Sequence, residues 1–252
     1  MITLEADLHT HTVASGHAYS TIKENAEAAN FKNLKILAMT DHAPAMPGSA
    51  NILHFGNLRA LPRYINSVMI LRGVELNVLD KQGSVDFPEM FFGRNLLARM
   101  DWVIASLHEN ILTPEPGFDY TGLYIAIAEN PAVDLIGHPD TPAFSFDIEE
   151  VVKAFKANNK IVELNEHHAF ETSEQSRINA KKIMKACAKH GVYISVNSDA
   201  HTCWDVGRHK QAVKMLEEIK FPEELIFNAK ASRVLDYLFK KRSALKDELN
   251  NL

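Results

Sequence analysis

Cysteine is almost missing: Cys187 and Cys203 are the only two in 252 residues. That is too few for a disulfide scaffold, and they form no CxxC pair of a zinc ribbon. A reducing, cytoplasmic setting is the expectation that follows. The N-terminal stretch lacks the basic start and apolar core of a signal peptide, and no apolar run approaches the about 20 residues of a membrane span, so no membrane partner is expected. Positive charge is not in excess either. With 27 Lys and Arg against 32 Asp and Glu the formal charge is −5, which disfavours nucleic acid as a partner. Glycine-rich phosphate turns are absent as well. After the first apolar run, where a dinucleotide-binding sheet carries GxGxxG, the chain reads His9-Thr-His11-Thr-Val-Ala-Ser-Gly16-His17, and the Rossmann reading loses ground. There is no nucleophile elbow, no P-loop lysine, no internal repeat and no linker, only a charged tail after Arg242.

What is present is an ordinary globular composition, 46% apolar and 23% charged, with an unusual count of 12 histidines. Short β-rich apolar runs at 3–10, 35–40, 69–78, 102–107, 133–137, 160–165 and 192–197 alternate with helical spacing at 21–30, 120–129, 148–157, 173–190, 205–219 and 223–241. Thr21 and Glu24 are spaced as a capping box, while Gly191 and Pro222 read as helix stops. Alternating strands and helices predict parallel βαβ units, and without the Rossmann turn a closed α/β barrel is preferred over an open sheet. One domain over 1–252 is expected, with a long loop at 43–57 above one strand end.

The histidines and carboxylates collect where that frame would place a site. Asp7, His9 and His11 alternate at period two, which predicts one common face, the inside of a barrel. His42 follows the second strand, Glu75 lies near the end of the third, His108 ends the fourth, His138 ends the fifth, and Asp199 and His201 follow the seventh; His17 sits in the first loop. Carboxyl ends of parallel barrel strands converge on one face, where active sites are built. A lone histidine at a strand end is more often a packing or loop residue than a ligand. Nine donors on one face exceed what one catalytic zinc needs, about three protein ligands plus water, so two or three ions are implied, with Glu75 or Asp199 able to bridge a pair. The imidazole-rich set suits zinc, with manganese or iron as alternatives. Asp7 and Asp41 are expected either to accept the second ring N–H of ligand histidines or to cap strand ends. His190, before Gly191, reads as structural at a helix C-terminus. His167 and His168 either line the mouth or form an exposed loop pair. Cys203 reads as a semi-buried thiol and Cys187 as packing. Arg59, Arg63, Arg72 and Arg208 are as readily surface cations as anion clamps.

The motifs Asp7-Leu-His9-Thr-His11, Thr40-Asp41-His42, His138-Pro139 and Ser198-Asp199-Ala200-His201 resemble the signature of the PHP (polymerase and histidinol phosphatase) superfamily. Thr12-Val-Ala-Ser-Gly-His17-Ala-Tyr-Ser20, Leu71-Arg-Gly-Val-Glu75 and His54-Phe-Gly-Asn-Leu-Arg59 resemble its stand-alone bacterial phosphatases of the YcdX type. The resemblance implies a distorted (β/α)7 TIM-like barrel, matching the seven runs above. It also implies three divalent ions: one on His9, His11, Glu75 and Asp199, a second on Glu75, His108 and His138, and a third on His17, His42 and His201. One departure stands out, because Asn165-Glu166-His167-His168 after the sixth strand is bulkier and more polar than the small-residue segment of those relatives.

The expected activity is hydrolysis of a small-molecule phosphate ester, with metal-bound hydroxide attacking phosphorus in line and no protein nucleophile. A mouth histidine or a second water would protonate the leaving group. Three other readings are a metallo-amidohydrolase, a nuclease on DNA ends and a metal-binding module without activity; the complete donor set favours the phosphoesterase.

Overall fold

In the computed structural model, which describes residues 2–88 and 90–250, seven parallel strands follow one another around a nearly closed barrel in chain order. They are β1 (Ala6–Thr10), β2 (Ile36–Met39), β3 (Val68–Asn77), β4 (Trp102–Ser106), β5 (Leu135–Ile136), β6 (Ile161–Asn165) and β7 (Ile194–Asn197). All the expected strands are present. The fifth is cut to two residues, because His138 takes a positive φ of 23° and turns the chain out of the sheet. Gly137 lets that happen: a Cβ there would lie 2.0 Å from Ser106 Oγ on the neighbouring strand.

The helices are α1 (Ile22–Phe31), α2 (Ile52–Gly56), α3 (Thr121–Glu129), α4 (Ile148–Ala157), α5 (Glu174–His190), α6 (Lys210–Glu218), α7 (Ala231–Lys241) and α8 (Ser243–Asn250). Local chemistry sets their ends. Thr21 and Glu24 form the capping box of α1, and Gly191 ends α5 at a φ of 65°. The stretch 205–209 is not helical, contrary to its spacing. α6 starts only at Lys210, because the buried Glu166 carboxylate accepts the N–H groups of Gln211 (3.0 Å) and Ala212 (2.7 Å) from across the β6 loop. The expected long loop 43–57 contains α2, capped by Asn51. The charged stretch after Arg242 is no tail but α8, which buries Leu245 and pairs Glu248 with Arg63 and Arg72.

The barrel interior is apolar below and polar above. Ala6, Leu8, Ala38, Leu71, Trp102 and Ile104 fill the lower half, and Phe227, Val234 and Leu238 plug its floor from outside the strands. Above them stand Glu163, Asn165, Ser195 and Asn197, all buried. An extra residue in β1 breaks its alternation: Asp7 pairs with Leu37 but Thr10 with Met39, three steps on one strand against two on the other. The expected common face for Asp7, His9 and His11 is therefore incorrect. Asp7 points to the loop after β7, where it accepts from Ser198 N, Ser198 Oγ and Gly207 N, while Leu8 joins the interior and His9 meets Glu163.

The seam between β1 and β7 is closed in two ways. At the upper end the backbones bond directly, Asp199 N to His9 O at 3.0 Å and His11 N to Ala200 O at 2.9 Å. Lower down a side chain takes the place of a strand. Asn228 donates through Nδ2 to Ala6 O (2.8 Å) and Val196 O (2.6 Å), and its Oδ1 accepts Val196 N (3.0 Å). Asn228→Ala would orphan these buried backbone groups, and at about 1 kcal/mol per lost bond a loss of about 3 kcal/mol is expected in urea denaturation. A loss below about 1 kcal/mol would show that the seam closes without this amide.

Candidate metal centre

Strand ends deliver the nine expected donors to one spot. β1 supplies His9 and His11, β2 leads to His42, β3 carries Glu75, and β4 and β5 lead to His108 and His138. The loop after β7 supplies Asp199 and His201, and the loop after β1 supplies His17. That loop is pinned at Gly16, whose φ of 78° and whose missing Cβ, which would lie 2.2 Å from Gly48 O, let it close against the loop after β2.

Glu75 lies at the middle. Its Oε1 is 3.4 Å from His9 Nε2, 3.4 Å from His108 Nε2 and 3.3 Å from His138 Nε2, and its Oε2 is 3.5 Å from His11 Nε2 and 2.6 Å from His42 Nδ1. Asp199 Oδ1 is 3.0 Å from His11 Nε2 and 3.5 Å from His9 Nε2. His17 joins through His201, with the two Nε2 atoms 3.0 Å apart. Three groups have donor atoms mutually within 4.8 Å: His11, His42 and His201; His9, His11 and Asp199; and His42, Glu75 and His108.

Two features test whether the set suits metal ions. Donors at about 2.1 Å from one tetrahedral zinc stand about 3.4 Å apart, which is the spacing most of these pairs have. Further, His9 Nε2, His11 Nε2, His42 Nδ1, Glu75 Oε2 and Asp199 Oδ1 are buried without a hydrogen-bond partner. Even the 2.6 Å approach of His42 to Glu75 lacks hydrogen-bond geometry. Buried polar atoms left in that condition are costly unless a cation faces them. The residues fit.

Charge follows from the same crowding. Burial alone would raise Glu75, yet His42, His9 and His108 hold its carboxyl well below the usual range. Asp199 is likewise lowered, burial being outweighed by His9, His11 and His201. Burial, reinforced by His42, pushes His11 down to about 3, so its ring is neutral and ready to donate a lone pair. Burial would lower His9 too, but Glu163, Asp199 and Glu75 raise it well above its ordinary value. This position attracts positive charge.

Behind the donors stands a set of partners that sequence reading missed. Glu163 Oε1 accepts His9 Nδ1–H at 2.8 Å, while its Oε2 accepts His138 N at 2.8 Å. Asn77 Oδ1 accepts from His108 Nδ1 at 2.8 Å. Ser15 Oγ accepts from His11 Nδ1 at 2.9 Å and donates to Asp41 at 2.7 Å. Holding one ring nitrogen aims the other at the centre. Asp7 and Asp41 therefore touch no ligand ring by a hydrogen bond of this kind, and their cap role is the one realised: Asp41 accepts from Thr12 N and Oγ1 as well. The legible signal for Glu163 was an acid sharing the inward face of β6 with Ile161 and Asn165.

The centre opens into a cleft of about 590 Å3 whose wall includes Asn110, Glu166, His167, Glu171, Asp205 and Arg208. His168 stands behind the wall, stacked on His138 at 4.8 Å and bonded to Asp140 at 2.8 Å. His190 pairs with Glu149 at the end of α5, as a structural residue would. No group of metal-capable side chains includes a cysteine among the described residues. Of the four arginines only Arg208 lines the cleft; Arg63 and Arg72 are committed to Asp101 and Glu248.

A family model described as PHP domain matches residues 7–167. The chain belongs to the PHP family. Among curated proteins, "Probable phosphatase" of Acetivibrio thermocellus is 42% identical over 95% of this chain and 97% of its own length. A relative of the same designation from Caldanaerobacter subterraneus is 44% identical over 96% and 94%. The expected class, a stand-alone PHP phosphatase, is thereby borne out. Among solved structures, histidinol phosphate phosphatase of Lactococcus lactis, complexed with zinc, L-histidinol and phosphate, superposes with a TM-score of 0.57 at 15% identity, covering 87% of this chain and 95% of its own. A chain of an archaeal ribonuclease P structure superposes with a TM-score of 0.60 at 10% identity, covering 92% and 91%. At such identities these two speak for the barrel fold only.

Replacing Glu163 by Gln leaves the volume and removes the charge behind His9. An added divalent ion is then expected to bind about 10- to 100-fold more weakly, measured by competition with a chelating dye. Unchanged affinity would remove Glu163 from the support of the centre.

Proposed function

We propose that this PHP phosphatase hydrolyses a small-molecule phosphate monoester at a trinuclear site. One ion would be held by His9, His11, Glu75 and Asp199, a second by Glu75, His108 and His138, and a third by His17, His42 and His201. The convergence of unpartnered, buried nitrogen and oxygen atoms on one point carries the reading. Zinc is the proposed metal, with manganese or iron as alternatives. Seven imidazoles among nine donors support zinc, and so does the zinc in the Lactococcus lactis enzyme of the same fold.

Divalent ions held by these residues would supply acidification of a water and neutralisation of phosphoryl oxygens. The chain's own residues do the rest. Glu75 and Asp199, held ionised, balance the positive charge, and Glu75 with its two oxygens among five histidines is placed to be shared. Glu163, Asn77 and Ser15 keep the imidazoles turned inward, so little reorganisation is needed when substrate arrives. The cleft admits a metabolite-sized ester, in line with the phosphate and small alcohol described for the Lactococcus lactis enzyme. Because the donors run from β1 to the loop after β7 they cannot be divided, which supports one catalytic domain over residues 1–252. No described helix is long and apolar enough to cross a membrane, and two unpaired thiols, Cys187 and Cys203, suit a reducing cytoplasm.

Protein loaded with Zn2+ or Mn2+ is expected to release inorganic phosphate from members of a panel of sugar phosphates, nucleotides and histidinol phosphate, and to hold more than one metal equivalent by elemental analysis. Chelation should abolish release. Asp199→Ala is expected to lower kcat by at least about 100-fold with the fold retained by circular dichroism. Full activity in metal-stripped protein would end this reading.

A further inference from the structure

An alkyl phosphate expels an alkoxide, a strong base that departs slowly unless a proton reaches its oxygen as the P–O bond breaks. The nine donors turn their free atoms toward one another, so for a substrate seated on them that proton comes from the outer wall of the cleft. Four titratable acids stand there outside the donor set: Glu166, His167, Glu171 and Asp205. Three are occupied. Glu166 is buried and spends both oxygens on the start of α6. Asp205 accepts from Thr202 Oγ1 at 2.9 Å and pairs with Arg208 Nη1 at 3.3 Å. Glu171 accepts His167 Nδ1–H through one oxygen, at 3.0 Å, and bonds Arg208 through the other. His167 alone keeps a ring nitrogen, Nε2, without a partner among the described residues.

We propose that His167 is the proton donor to the leaving oxygen, oriented by Glu171, with Arg208 holding Glu171 in place. The proposal rests on monoester hydrolysis at the centre described above. As water's oxygen bonds phosphorus, the bond from phosphorus to the leaving oxygen breaks and that oxygen takes the Nε2 proton of the doubly protonated His167 ring, which keeps its Nδ1–H on Glu171. The alcohol departs, and solvent water returns a proton to the ring as inorganic phosphate leaves with the proton released by the attacking water. The local backbone supports this task. Residues His168–Thr172 form a π-helical turn, a feature recurrent at functional sites, and the turn brings Glu171 back beside His167. Arg208, from the loop after β7, then ties the turn across the mouth, and the His167 ring lies 6.5 Å between centroids from that of His201. The arrangement gives a use to two residues, His167 and Arg208, that their sequence positions left undecided.

Leaving-group dependence is the test. Zinc-loaded wild type and His167→Gln are assayed on glycerol phosphate, whose alkoxide needs a proton, and on p-nitrophenyl phosphate, whose phenolate leaves unaided. In the variant the ratio of kcat on the alkyl ester to kcat on the aryl ester is expected to fall about 100-fold. Metal content should be unchanged. Glu171→Gln should lower the same ratio less, and nitrogen NMR of the zinc-loaded protein should show the neutral form of His167, the one left after proton transfer, protonated on Nδ1 in wild type but mixed between tautomers in that variant. An unmoved ratio, whether both rates fall together or neither falls, would overturn the proposal. If wild type hydrolyses neither ester nor any other phosphate ester with metal supplied, the phosphatase reading itself fails, which is a different result from a wild type that is active and a variant whose ratio stands still.

Discussion

Crowding metal-capable side chains around the buried Glu75 and Asp199, with nitrogen and oxygen atoms facing one another at 3.0 to 3.5 Å for most pairs, is an arrangement that positive charge relieves. Much of the upper barrel serves to impose it. Ordinary folding would disperse such groups to water, since an unpaired buried polar atom costs on the order of 1–3 kcal/mol. Here the surrounding structure over-determines their positions. Glu163, Asn77 and Ser15 clamp the far side of three rings, and two donors, His138 and Asp199, are held at positive φ, 23° and 54°. The strain is offset by the apolar lower barrel, where Trp102, Leu71 and Leu8 are fully buried.

Division of the interior into an apolar floor and a polar ceiling also explains why chemistry is confined to one end. Parallel strands all arrive there with the same polarity, so each strand-end loop can contribute one or two side chains without crossing another. Conversely, the floor is sealed by Phe227 and α7, whose Lys241, with Arg242 just beyond the helix, pairs with Asp134, leaving that end with a structural task.

The convergence of these side chains was legible in the sequence because most of them sit at or just after the end of an apolar β run, His17 in the first loop aside, and apolar runs survive as signals even when short. What escaped were residues whose role depends on facing and register. Asp7 looked like a companion of His9 and His11 by simple alternation, but an extra residue in β1 rotates it outward, and no local pattern announces a bulge that contains no glycine. Glu163 was hidden for a related reason: in a strand its inward direction matters only once β1 is known to lie across the barrel from it. His167 could be placed no better than at the rim, since the choice between wall and open loop is made by Glu171 and Arg208, the latter 41 positions away in the chain. Helix ends, by contrast, followed their caps closely at Thr21 and Gly191, but not at α6, whose start the distant Glu166 carboxylate sets, nor at α7, which begins at Ala231 rather than 223 because 223–225 and 227–229 form 3-10 turns.

The seam between β1 and β7 sets an order of events during synthesis. A ribosome releases His9 and His11 early, but the strand that bears Ala6 and Leu8 is stapled to its neighbour by Asn228, 222 positions later than Ala6. Such long-range closure is slow and comes late. Until residue 228 has emerged the lower seam lacks its staple, so the barrel that positions these side chains is completed only when most of the chain has been made.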